Sequence, residues 1–138
     1  MKRIIILTVL FAALSGPALA ASPAIPAEYR GEWCQTEGHP YFTPQATINA
    51  WPDSIKSECR EDDTSRRIKI GSHSYEGWEF SCKPVRVMVD KDPSHIGGHA
   101  ITFNCYVEGN TGTEVHSFVT TTGTKGIGKR LYIDDVQE

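Results

Sequence analysis

His95 and His99 stand four residues apart, the spacing that puts two imidazoles on one face of a helix and lets them share a zinc ion. Pro93, Gly97 and Gly98 argue against a helix there, and nothing in the sequence converges His39, His73 or His116 on the pair, so no metal and no cofactor is expected. Gly123-Thr124-Lys125-Gly126-Ile127-Gly128-Lys129-Arg130 matches the GxxxxGK of a phosphate-binding loop. Arginine stands where Ser or Thr must bind Mg²⁺, and Leu131-Tyr132-Ile133 reads as a strand where that loop must open a helix, so the segment is read as a hairpin turn. Carboxylates at Glu61-Asp62-Asp63 are flanked by Arg60, Arg66 and Arg67, and Asp134-Asp135 lies near the chain end; both read as solvated charge rather than an acid/base pair in a cleft. Asp90-x-Asp92 lacks the further oxygen ligands of a calcium loop. Ser72-His73-Ser74 sets nucleophile and base types side by side, but a triad is a spatial arrangement and no GxSxG elbow is present. No catalytic residue is assigned, and the expectation is a domain that is not an enzyme.

Cys34, Cys59, Cys82 and Cys105 carry the most information. They follow a segment with the parts of a cleavable export signal: Lys2 and Arg3, an apolar run from Ile4 to Leu14, and Ala18-Leu19-Ala20 as an A-x-A site. Ser15, Gly16 and Pro17 interrupt the apolar run well before the roughly 20 residues a bilayer requires, so no stable membrane anchor is expected after cleavage. Residues 1–20 are read as the signal peptide and 21–138 as one small β domain in the periplasm or secreted. An oxidising compartment makes an even set of cysteines structural rather than nucleophilic. Four cysteines allow three pairings. Alternation places Cys82 with Phe80 and Trp78 on one face, and Cys105 with Ile101, Phe103 and Val107 on another. A hairpin through Asp92 to Gly98 brings those faces together, which favours Cys82 with Cys105 and leaves Cys34 with Cys59.

The elements that must position these residues read as strands. Arg66 to Ile70, Tyr75 to Asp90, Ile101 to Val107, Val115 to Thr122 and Leu131 to Val136 show β-type patterning, and Gly-rich turns separate them. In Tyr75–Asp90 the apolar phase switches from Trp78, Phe80 and Cys82 to Val85, Val87 and Val89. A bulge or break at Lys83-Pro84 is expected, turning both halves toward one core. The fold class is therefore all-β, a small antiparallel barrel or sandwich of about six to eight strands. Gln35 to Ser65 is the exception, a long loop braced by Cys34 and Cys59. Within it Thr43-Pro44 resembles an N-cap followed by proline at the first helical position, which allows a short helix with Ile48 and Trp51 on one face, ending at Pro52. Tyr41, Phe42 and Trp51 make this loop the candidate contact surface. Trp33 and Trp78 are expected to pack in the core.

Two resemblances bear on function. Gly31-Glu32-Trp33 is similar to the G-x-W motif that opens the first strand of calycin barrels, the lipocalin and avidin superfamily, and it implies an eight-stranded barrel with the tryptophan plugging one end. No second lipocalin motif is present, and the mature length is nearer that of avidin or the small periplasmic protease-inhibitor barrels. The runs Ile25 to Cys34, Cys59 to Asp63 and Gly77 to Lys83 resemble small exported proteins of alphaproteobacterial type, which implies a periplasmic or secreted setting and a four-cysteine frame. Without Lys2 and Arg3, Lys plus Arg falls from 14 to 12 against 17 acids, a formal charge of −5, which argues against a general nucleic-acid binder. The expected function is non-catalytic binding of a ligand or envelope component. The alternative is a proteinaceous inhibitor of a lysozyme or protease.

Overall fold

Side chains that alternate between apolar and polar build a sheet with one dry face, and that face must be covered. The computed structural model describes residues 21–60, 65–122 and 128–136, so the expected export signal, the acidic turn 61–63 and the Gly-rich turn 123–127 lie outside the described residues. Eight strands run as β1 (Gly31–Cys34), β2 (Thr43–Pro44), β3 (Arg67–Ile70), β4 (Tyr75–Gly77), β5 (Phe80–Val89), β6 (His99–Val107), β7 (Asn110–Thr122) and β8 (Lys129–Asp135). They form one antiparallel sheet in the order β2-β1-β3-β4-β5-β6-β7-β8. Phe42 and Leu131 exchange backbone hydrogen bonds of 2.8 and 2.9 Å, so the residue leading into β2 meets β8 and the sheet curls into a nearly closed barrel. Of the two architectures the alternation allows, the barrel is the one formed. Closure pairs backbone groups that an open edge would leave bare.

The sheet covers its dry face with itself. Trp33, Ile68, Ile70, Tyr75, Cys82, Ile101, Phe103, Cys105, Phe118 and Leu131 form a single interior cluster with Ile25 and Tyr29. The aromatic rings of Tyr75, Phe103 and Phe118 meet with centroids 5.4 to 5.8 Å apart, so large side chains fill the interior where a ligand would otherwise lie. Trp33 is buried, and its indole N–H donates to the carbonyl of Tyr29 at 2.9 Å, in the single turn Ala27–Tyr29 that precedes β1. The Lys129 ammonium lies 5.4 Å from the centre of the Trp33 ring and also donates to the carbonyl of Glu28, tying β8 to that turn.

Both disulfides join the expected partners, Cys34 to Cys59 and Cys82 to Cys105. Cys82 and Cys105 are direct register partners on β5 and β6 with Cα atoms 4.0 Å apart. The bulge falls one residue later than Lys83-Pro84: Pro84 pairs with Phe103 and Arg86 with Thr102, so Val85 is the extra residue. Its effect is also narrower than expected. Val87 reaches the core, whereas Val85 is the bulged residue and Val89 lies at the end of β5, and both are exposed.

Tyr75–Asp90 is a hairpin and not one long strand. Gly77 pairs with Phe80, leaving Trp78 and Glu79 as a two-residue turn, with Glu79 in the left-handed region at φ 63°. A Cβ at position 77 would lie 2.1 Å from the Phe80 ring, so glycine is what lets that ring lie over the strand end. Trp78 therefore sits at a turn tip, 58% exposed, and does not pack in the core. Its alternation with Phe80 and Cys82 is a coincidence of spacing across that turn.

The short helix expected at Thr43-Pro44 forms, but one residue later, with Pro44 and not Thr43 as its N-cap. Both residues pair with β1 as β2, and the first helix, α1 (Gln45–Ile48), begins after them. The run ends before Pro52 as expected, but Pro52 then caps a second short helix: α2 (Asp53–Lys56) follows and runs into the turn Ser57–Cys59. Among the described residues, no helix is long and apolar enough to cross a membrane.

Candidate functional site

Helices of one turn cannot hold themselves. In α1 only Ile48 is buried and in α2 no residue is. What fixes them is a second, small core of Cys34, Cys59 and Ile48 with Trp51 packed against it. The disulfide thus does for this segment what the aromatic cluster does for the barrel. Gln45 adds to it, its side-chain amide donating to the carbonyl of Cys59 at 3.1 Å and to Asn49 at 3.0 Å.

On the outer side of this small core lies a cleft of about 440 Å³, with Trp51, Pro52 and Ile55 on one side and Tyr41, His39, Thr36, Glu37 and Glu58 completing it. Tyr41 is held by neighbours from β8: the Tyr132 ring lies 5.7 Å away and the Arg130 guanidinium 4.2 Å over the Tyr41 ring. The His39 ring is tilted against it at 5.0 Å. The Glu58 carboxylate accepts from the backbone N–H of Glu37 at 2.7 Å and stands 3.9 Å from Arg66. Tyr41 and Trp51, expected as contact residues, therefore line one cleft. Phe42 does not join them, because its side chain packs against the barrel core and its backbone closes the sheet. Ile55 was not picked out by the sequence, although it stands four residues after Trp51. Reading Pro52 as a helix start would have found that spacing.

A second constellation forms where β5 turns into β6. Asp92 caps the turn Pro93–His95, accepting from the Ser94 N–H at 2.8 Å, while Asp90 accepts from the Asp92 N–H at 2.9 Å. The His95 ring bridges outward, Nδ1 to Asp90 at 2.9 Å and Nε2 to Asp134 on β8 at 3.1 Å. Ser117 of β7 donates its hydroxyl to Asp90 and lies 3.1 Å from His95 Nδ1. Burial pulls His95 toward the neutral form, but hydrogen bonds to Asp90 and Asp134 outweigh it, and the imidazole is held above its ordinary value. Asp90 is held below the usual carboxylate range, chiefly by the Ser117 hydroxyl and then by the Asp92 N–H. Serine, histidine and aspartate thus meet here without the geometry of nucleophilic catalysis. Ser117 is 2% exposed and gives its proton to a carboxylate, so His95 has none to remove. The arrangement fastens the loop Asp90–Gly98, and Ile96 stands at its apex 86% exposed.

The remaining histidines diverge. His99 lies in β6 and meets the Tyr29 hydroxyl at 2.7 Å, so it shares no partner with His95. His116 sits between Glu114 at 2.9 Å and Asp135 at 2.7 Å, under the rings of Tyr75 and Phe103. Burial first, then the carboxylates of Asp135 and Glu114, push the Tyr75 phenol upward. Ser72 and His73 touch at 3.0 Å on the surface, and among the described residues no carboxylate joins them. Cys82, Cys105 and Glu114 crowd together, but both sulfurs are committed to the disulfide and neither can ligate a metal. No protein-family model, curated protein or solved structure matches this chain.

Proposed function

We propose that the chain is an exported, non-catalytic binding domain that contacts a ligand or an envelope component through the cleft of Tyr41 and Trp51. One observation carries this: a disulfide-centred core separate from the barrel core holds Trp51, and β8 holds Tyr41, at one largely apolar cleft where neither is needed to fill the interior. The filled barrel weighs against a ligand inside it, although the eight strands and the buried Trp33 favour the resemblance to calycin barrels in architecture. Two disulfides suit an oxidising compartment, and together with the signal-like leader they support the proposed periplasmic or secreted setting. An NMR screen of a fragment library tests the site. Shift changes should gather on Trp51, Tyr41 and Ile55; a cluster inside the barrel or on its outer wall would refute the assignment.

The exposed Ile96 favours a second reading, an inhibitor of a protease or lysozyme. The hydrogen-bonded loop Asp90–Gly98 offers one aliphatic side chain on a rigid support, which lowers the ordering cost of association. Stoichiometric inhibition of an extracellular hydrolase, lost on Ile96→Asp with thermal stability unchanged, is the outcome that reading requires.

A further inference from the structure

We infer that the Tyr41/Trp51 cleft takes a cation with an apolar envelope, a quaternary or alkylated ammonium group. The inference rests on the binding role proposed above for that cleft. Its walls are aromatic and aliphatic, Trp51 and Tyr41 with Ile55 and Pro52, which suit a weakly hydrated group. Among the described residues its charged lining is acidic: Glu37 and Glu58 line it, Arg66 stands 3.9 Å from Glu58 at its margin, and no Lys or Arg is a lining residue. A ring quadrupole attracts a cation over its face, most strongly for tryptophan, and nearby carboxylates add to that attraction. Tyr41 already carries the Arg130 guanidinium 4.2 Å from its ring centre, so this corner of the molecule uses the interaction internally. A compact strongly hydrated ion gains little from Ile55 and Pro52, and an anion would meet a lining that holds Glu37 and Glu58 and neither Lys nor Arg. A cation wrapped in methyl or methylene groups satisfies both the walls and the charge.

The test titrates the intact protein with choline and tetramethylammonium, and separately with the uncharged carbon isostere of choline, following the Trp51 indole and Tyr41 by NMR with calorimetry alongside. Choline should bind about 2- to 30-fold more tightly than its isostere, and Glu37→Gln and Glu58→Gln should each reduce that preference while leaving the isostere's affinity unchanged. Trp51→Leu should remove cation binding, and Tyr41→Leu gives the same readout should loss of the indole unsettle the small core. Equal binding of choline and its isostere in the cleft overturns the cation inference while leaving the cleft as a binding site. No shift at Trp51 or Tyr41 with any of the three compounds overturns both.

Discussion

The two disulfides provide a matched pair of perturbations. They close sequence separations of 25 and 23 residues, so the chain-entropy model gives each about 3.5 kcal/mol. That is a large share of the roughly 5–15 kcal/mol that holds a typical domain. Whatever differs between the double variants C34A/C59A and C82A/C105A must then come from surroundings. Cys82 and Cys105 are neighbours in a β5–β6 ladder running from Phe80↔Val107 to Val89↔His99, so the ladder survives the loss of the bond and the penalty spreads over the barrel. Cys34 and Cys59 are most of the small core, and without them Ile48 and Trp51 lose what they pack against. C34A/C59A should therefore let amides of residues 45–59 exchange freely while β5, β6 and β7 keep their protection, and should expose the Trp51 indole to quencher. C82A/C105A should lower protection across the barrel together. Equal loss of protection in both regions of C34A/C59A, measured by amide hydrogen exchange, would refute the separation into two cores.

Three further outcomes follow from single contacts. Asp90, held below its ordinary 3.8, contributes stability above that value that is lost as pH falls through its lowered one; His95, held above 6.5, contributes stability below 6.5 that is lost as pH rises through its raised value. Stability should peak between the two, and Ser117→Ala should flatten the acid limb of a denaturation–pH series most. Glu108 sits at φ 46° before Gly109 at φ 87°, a turn with both central residues left-handed. Glu108→Asn should stabilise by about 0.5–1 kcal/mol, seen as a Tm raised by several degrees, and should relieve the Glu79 carboxyl, whose protonated form donates to the Glu108 carboxylate and is thereby held above its ordinary value. Trp33→Phe removes the indole donor to the Tyr29 carbonyl and should cost about 1–3 kcal/mol in chemical denaturation.

Much of the barrel was legible in local pattern. Ile68 and Ile70, or Ile101, Phe103 and Cys105, alternate because a strand sends every second side chain inward, and the Cys82–Cys105 pair follows from two such faces meeting. The misreading at Trp78, the helix start placed one residue early at Thr43 and the second helix missed after Pro52 share one cause. Each lies where the chain turns, and there the same residues satisfy more than one local rule. A Trp-x-Phe-x-Cys run alternates whether or not a turn interrupts it, and proline both opens and closes helices.

The amino-acid sequence by itself determined the all-β class and the inward faces of β3 and β6, and it favoured the disulfide partners found, because these depend on periodicity and on the short reach of a bond. Tertiary structure alone decided that the sheet closes through Phe42 and Leu131, that Trp51 and Tyr41 share a cleft while Phe42 turns inward, and that Asp90, His95, Ser117 and Asp134 meet. Those residues belong to separate strands and loops. Only the curvature of the closed sheet sets the distances between them.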